Sequence, residues 1–230
     1  CIENTLPCFR KAVETGVGIE TDIQLTKDNV LVCFHDHFIQ IKSEWINVKN
    51  LTFKQLTSIK FEDNRKIPTV NELFTAFIEK KHNLRYSFDI RGEKEGQALI
   101  DLALEFQILD KIEITERNLK LINVLRRYNK FISLVYTLNE SISKITTKTV
   151  NFSDLRKLGV KAINLKCRRA NFENFKVIID NNLECYAWDI NNEKRMIKVL
   201  TLENRNHRIA AIYTDYPRLL LNCINKMLIT

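Results

Sequence analysis

An α/β fold, a parallel sheet covered by helices, follows from three features of the 230-residue sequence. Apolar β-rich segments alternate with amphipathic helical ones from residue 18 to the end, the pattern of repeated βα units. Hydrophobic residues make up 45% and charged residues 28%, which supplies a sizeable core and excludes a disordered chain. Only 5 Gly and 3 Pro are present, too few for a linker-rich or collagen-like chain, a dinucleotide fingerprint or a Walker loop.

The elements follow in order. Asn4-Thr5 reads as the cap of a first helix, with Pro7 in its first turn, Leu6, Phe9, Ala12 and Val13 on one face, and Gly16 at its end. Strand candidates are residues 18–25, 30–35, 84–90, 111–115, 131–136, 161–165, 185–190 and 209–214. Asp28-Asn29 supplies a tight turn, so the first two strands read as a hairpin. Thr69-Val70-Asn71-Glu72 is a capping box that opens a helix through Phe74, Phe77 and Ile78. Leu99, Leu102, Ala103 and Phe106 mark the next helix, and Leu119, Ile122 and Leu125 another, with Thr115 as its cap. A short helix ends at Gly159; Phe172, Phe175, Ile178 and Ile179 stripe the following one, then Met196, Val199 and Leu200. The last helix starts at Pro217, with Asp215 or Tyr216 near its cap, and runs through Leu219, Leu220 and Ile224.

Counting the hairpin as one unit gives seven βα-type strands, and an eighth before Cys1 would close a (β/α)8 barrel. A doubly wound sheet uses the same alternation, but its glycine-rich first turn is missing. The chain starts at Cys1, without Met, and enters a helix almost at once, so we expect a truncated record and a barrel lacking its first strand. No repeat or low-complexity linker interrupts residues 1–230, which read as a single domain.

The net charge is +8 and the pI about 9.2, a balance that attracts anions or simply solubilises. Lys and Arg are scattered, apart from pairs such as Lys80-Lys81, Arg126-Arg127 and Arg168-Arg169, and no aromatic-basic nucleic-acid motif occurs. No stretch approaches the roughly 20 uncharged apolar residues of a membrane span. None of the six cysteines forms a Cys-x-x-Cys pair, and Cys33, Cys185 and Cys223 sit in apolar runs as small hydrophobes. That usage suits a reducing, cytoplasmic setting.

Active sites of such barrels lie at the C-terminal ends of the strands. Glu20 and Asp22, two apart, face the same way on the first strand. Two carboxylates where an interior strand would bury them call for a cation, and hard oxygen ligands suit Mg²⁺ or Ca²⁺. A solvent-facing strand edge would use the same alternation. His35 follows an apolar strand and is positioned for acid-base work, or for a loop role. Asp89 and Arg91 again share a face: an acid for a metal and a cation for a phosphate, or a plain ion pair. Later strand ends offer Lys166, Trp188-Asp189 and Thr214-Asp215. Three acids, a His, an Arg and a Lys suit metal-assisted phosphodiester hydrolysis.

The runs Glu3-Asn4-Thr5-Leu6-Pro7-Cys8-Phe9-Arg10-Lys11-Ala12, Gly18-Ile19-Glu20-Thr21-Asp22, Thr26-Lys27-Asp28 and Val32-Cys33-Phe34-His35-Asp36 resemble, in order and spacing, the glycerophosphodiester phosphodiesterase family. Ile67-Pro68-Thr69, the Trp188 strand and Thr214-Asp215-Tyr216-Pro217 extend the resemblance over nearly the whole chain. It implies a TIM (β/α)8 barrel that cleaves small-molecule glycerophosphodiesters to sn-glycerol 3-phosphate and an alcohol, with Ca²⁺ or Mg²⁺ bridging three carboxylates and the phosphate. By that resemblance Glu20 and Asp22 match the paired acids, and Asp89 stands where a third acid, usually Glu, is expected. Arg91 stands where a phosphate-binding Lys is usual, and His35 matches the second catalytic histidine. Lys166 and Trp188 are candidate substrate contacts from their strand-end positions alone, and a buried aromatic is the plainer reading of Trp188. The first catalytic histidine of the family lies in a His-Arg-Gly motif upstream of the Glu-Asn-Thr run.

Two other readings use the same residues. A degenerate barrel could bind phosphoesters or a partner protein without catalysis. A zinc hydrolase could use His35-x-His37, with His82 and His207 as the remaining histidines.

Overall fold

The computed structural model describes residues 1–77 and 84–229. Ile78, Lys80, Lys81 and His82 therefore lie outside the described residues. The chain opens with α1 (Leu6–Glu14), β1 (Ile19–Leu25), β2 (Leu31–Cys33), β3 (Phe38–Ile41) and β4 (Glu44–Asn47). It continues through α2 (Phe53–Thr57), α3 (Val70–Phe77), β5 (Tyr86–Asp89), α4 (Glu93–Glu105), β6 (Ile112–Glu116) and α5 (Leu119–Tyr128). Then come β7 (Ser133–Thr137), α6 (Phe152–Lys157), β8 (Val160–Lys166), α7 (Phe172–Asp180), β9 (Glu184–Trp188) and α8 (Glu193–Leu200). The short strands β10 (Glu203–Asn204), β11 (His207–Arg208) and β12 (Ala211–Ile212) precede α9 (Pro217–Ile229).

The result is an α/β fold in which eight strands follow the hydrogen-bonded order β12-β9-β8-β7-β6-β5-β1-β2. Each of the eight strand candidates read from the sequence supplies one of them. Two compact units divide the chain: Cys1–Ile114 with Val124–Ile132, and Thr115–Asn123 with Ser133–Thr230.

In the first unit β1 pairs parallel with β5, Glu20 opposite Ser87 and Asp22 opposite Asp89. On its other side β1 pairs antiparallel with β2, Leu25 opposite Leu31. The Asp28-Asn29 turn closes this hairpin, with Asn29 in the left-handed region at φ 59° and Thr26 N donating to the Val30 carbonyl at 3.0 Å. Gly18 is required where β1 begins, because a Cβ there would stand 2.2 Å from the Arg85 carbonyl oxygen. That close approach admits the Ile19 N–H to the same oxygen at 3.2 Å. Val32, Phe34, Ile39, Val48, Leu51, Leu56 and Ile67 form a buried cluster below the hairpin. The Thr69–Glu72 capping box forms as the spacing predicts: Thr69 Oγ1 accepts from Glu72 N at 3.0 Å, and Glu72 accepts from Thr69 N at 2.7 Å.

In the second unit β7, β8, β9 and β12 pair in parallel, with Thr137 opposite Asn164 and Lys166 opposite Trp188. Val135, Ala162 and Tyr186 pack at its centre. Gly159, at φ 61°, ends the helix α6 turn in the left-handed region.

Several local readings need correction. Thr5 stands at the N-cap position of α1 as read, but its side chain makes no capping bond; its hydroxyl donates to the Ile2 carbonyl at 2.7 Å, and Asn4 accepts from Thr21 on β1. Thr115 is buried in β6, and α5 is led in by Asn118, whose Oδ1 accepts from Lys120 N at 3.0 Å. Phe131 is 75% exposed and precedes β7, while Lys111 belongs to a single 3₁₀ turn before β6. β12 has only two residues of the six proposed, Ala211 and Ile212, and Tyr213 N beyond them donates to the Ala187 carbonyl of β9 at 2.8 Å. The β3–β4 and β10–β11 hairpins and α2 went unread, because each is too short to establish a period. Cys1 and Cys8 form a disulfide with Cα atoms 5.3 Å apart, a pairing the reading of the cysteines did not include. Cys33, Cys185 and Cys223 are buried thiols as read, and burial pushes the Cys33 thiol up to about 12.

Candidate active site

Glu20 and Asp22 face the same way because strand side chains alternate. Parallel register then puts Ser87 and Asp89 of β5 beside them on that face. Glu20 is exposed, while Asp22 and Asp89 are half-buried. Burial pushes the Asp22 carboxyl above the usual carboxylate range, against the pull of the neighbouring Arg91 guanidinium and of His35.

Arg91, two residues past Asp89, returns to this face. Its Nη2 donates to Asp22 Oδ1 at 2.9 Å and to the His35 carbonyl at 2.6 Å. The candidate phosphate-binding cation thus joins two other candidates, an acid and the backbone of the candidate acid-base residue. The His35 ring is exposed, with Nδ1 2.9 Å from Asp36 Oδ1. That contact with Asp36 raises the His35 pKa, opposed by partial burial.

Gln24 is a residue that the sequence reading missed. It is 4% exposed, and its Nε2 donates to the Phe34 carbonyl at 2.7 Å and to the Asp36 carbonyl at 2.8 Å. It therefore clamps the backbone on both sides of His35. Phe34 N, in turn, donates to the Asp22 carbonyl at 3.0 Å. A buried amide in β1 beside two acids was the available signal, since a buried amide must find partners.

The three carboxylates suit a hard divalent cation in chemistry and in strand register. Their side chains are not gathered around one: among the described residues no group of three or more His, Cys, Asp or Glu is arranged to hold a metal ion. Of the histidines in the zinc reading, His82 lies outside the described residues. His37 is exposed, and His207 Nδ1 meets the Arg205 carbonyl at 2.9 Å.

The second unit holds the other two candidates. Lys166 Nζ lies 4.7 Å from the Trp188 ring centroid, a cation–π contact. The same ammonium donates to Glu140 at 3.2 and 3.3 Å, and Arg168 donates to Glu140 at 2.8 Å. Hydrogen bonding from Lys166 holds the Glu140 carboxyl below its usual range. Asn191, also missed, links the next loops: its Nδ2 donates to Asp215 Oδ2 at 2.6 Å, and Thr214 Oγ1 donates to its Oδ1 at 3.1 Å. Among the described residues no helix is long and apolar enough to cross a membrane.

Comparison with known proteins completes the picture. The family model described as the glycerophosphoryl diester phosphodiesterase family matches residues 1–219. Glycerophosphodiester phosphodiesterase 1 of Mus musculus is 33% identical over 118 residues, 45% of this chain. The chain spans 35% of that relative's length, about a third. An Oleispira antarctica phosphodiesterase, solved in complex with the product sn-glycerol-3-phosphate, superposes with a TM-score of 0.81 at 17% identity, covering 97% of this chain and 91% of that one. A glycerophosphodiester phosphodiesterase from Thermotoga maritima superposes with a TM-score of 0.76 at 19% identity, covering 96% and 92%. At these identities the solved structures establish the fold, and the barrel-type α/β architecture read from the sequence is theirs too.

Proposed function

The chain belongs to the glycerophosphoryl diester phosphodiesterase family, and on that footing we propose that it hydrolyses glycerophosphodiesters to sn-glycerol 3-phosphate and an alcohol with a divalent cation, Ca²⁺ or Mg²⁺. The observation that carries this reading is Arg91 bonded at once to Asp22 and to the backbone of His35, on the strand face that Asp89 shares. Glu20, Asp22 and Asp89 are the residues that would hold the cation. When bound, the cation would supply positive charge to the phosphoryl oxygens.

The chain's own residues divide the remaining work. Arg91 binds the phosphate, and its fork stabilises the charge that grows on the phosphoryl oxygens. A water or substrate hydroxyl oxygen forms the new bond to phosphorus as the bond to the leaving alcohol oxygen breaks, and its proton passes to a base, the role the family gives its first histidine, or to solvent. His35, held by Asp36 and raised in pKa, gives its proton to that leaving oxygen. Lys166 and Trp188 bind substrate in the second unit, a role supported by their cation–π pair at paired strand ends. That residues 1–230 act as one domain is part of the same reading, supported by a family match that runs from 1 to 219. A cytoplasmic setting is supported by four free thiols, with the Cys1–Cys8 bond as the observation against it. Intact mass with and without alkylation under native conditions decides which holds.

The test of the main reading is release of sn-glycerol 3-phosphate from glycerophosphocholine with added Ca²⁺ or Mg²⁺, against a chelated control. Release that needs the cation and disappears in His35→Ala is the expected result. Saturable glycerophosphodiester binding without any release would instead support a non-catalytic binding barrel.

A further inference from the structure

Arg91 makes contacts that a phosphate ligand alone does not explain. Its guanidinium spans the Asp22 carboxylate and the His35 carbonyl, with Asp22 15% and Arg91 24% exposed. A pair this shielded is screened little by salt. One donor is unused: Arg91 Nε is buried and has no hydrogen-bond partner among the described residues. A guanidinium with a buried, unspent donor is held by the carboxylate's charge rather than by a complete set of bonds. The acids that would hold a cation are, correspondingly, not gathered around a common point. The cationic side of Asp22 already has an occupant.

We propose that Arg91 is the built-in counter-ion of Asp22, and that a divalent cation binds only by displacing the guanidinium from Asp22 Oδ1, so that Arg91 sets the metal affinity and is freed toward phosphate when metal arrives. This rests on the cation reading above. Guanidinium and divalent cation carry like charge, and sharing one desolvated carboxylate sets them in repulsion. Arginine suits this role where lysine would not. Its Nη2 reaches both acceptors from a planar group whose Nε end is buried, whereas an ammonium is a point charge on a flexible stem. Lysine at 91 would keep the charge, lose the span from Asp22 to His35, and leave Asp22 easier to claim.

Isothermal titration of CaCl₂, and separately of MgCl₂, into the 230-residue chain tests this with Arg91→Lys and Arg91→Gln, each checked for native thermal unfolding. Both variants should bind Ca²⁺ more tightly than wild type, by about 10–100-fold, the usual scale for a residue one step from a metal ligand. Without metal, Arg91→Lys should melt below wild type, and saturating Ca²⁺ should close that gap, because displacement by the ion removes the lost contact from the balance. Tighter binding in Arg91→Gln with none in Arg91→Lys would mean that charge alone acts, and would overturn displacement. Unchanged or weaker binding in both would show arginine and metal coexisting on Asp22, which also overturns it. If Arg91→Gln does not fold, Arg91→Lys decides alone. Absence of Ca²⁺ and Mg²⁺ binding in wild type and both variants would overturn the cation reading itself, and this proposal with it.

Discussion

Asp22 and Glu140, one carboxylate from each unit, both meet arginine, and their settings differ. Asp22 in the first unit is 15% exposed against Arg91 at 24%, and burial raises its pKa despite the arginine. Glu140 in the second unit is 38% exposed against Arg168 at 62%, and its pKa is lowered by Lys166. In the first case desolvation outweighs attraction, so the acid is held at a cost and responds to any cation that arrives. In the second, water already solvates both partners, and the pair positions Lys166 over Trp188 without storing much energy. Buried polar groups in the first unit are therefore where substitution should matter most.

The sharpest break of that contrast is Asp22→Asn or Glu20→Gln. Either should reduce cation-dependent turnover to background, a loss of about 10³-fold or more, which exceeds the cost of one preorganised donor. Cation-sensitive activity surviving both changes would mean the metal is held elsewhere. His35→Ala should cost about 10²–10⁴-fold in the same release assay, the usual contribution of a positioned acid.

The pH profile sharpens the comparison further. The raised pKa of His35, due first to Asp36, keeps the ring protonated above its ordinary value of 6.5. Its acid function, and the stability it adds, are full below that value and fade as pH rises through the raised pKa. Asp36→Asn should move the alkaline limb of kcat/KM to lower pH. A limb unchanged by Asp36→Asn would assign it to another group.

Two substitutions probe the frame around the first unit's face. Gln24→Leu strips a donor from the Phe34 and Asp36 carbonyls and should cost about 1–3 kcal/mol in denaturant unfolding. It should also lower kcat by loosening the backbone of His35. Gly18→Ala forces a methyl against the Arg85 carbonyl and should cost about 1–3 kcal/mol. The smallest effect belongs to the exposed pair. Glu140→Gln should change KM within about twofold, and less at high salt. A large Glu140 effect would erase the distinction between the two regions.

What the sequence determined is what short-range physics encodes. Strand positions follow from apolar runs punctuated by turn residues, so all eight sheet strands were legible. The capping box at Thr69–Glu72 and the Asp28-Asn29 turn are local chemistry, and both form as read. The alternation Glu20-Thr21-Asp22 already put two acids on one face, and the family's motifs named the rest of the candidate site. Pairing across the fold lies beyond this reach. That Asp22 stands beside Asp89 depends on the β1–β5 register across 67 residues of chain. The Arg91 bond to Asp22 and His35, and the Gln24 clamp on the same loop, depend on burial that no local window reveals. A side chain chooses its partner by which donors and acceptors packing has removed from water, and only the assembled tertiary structure decides that.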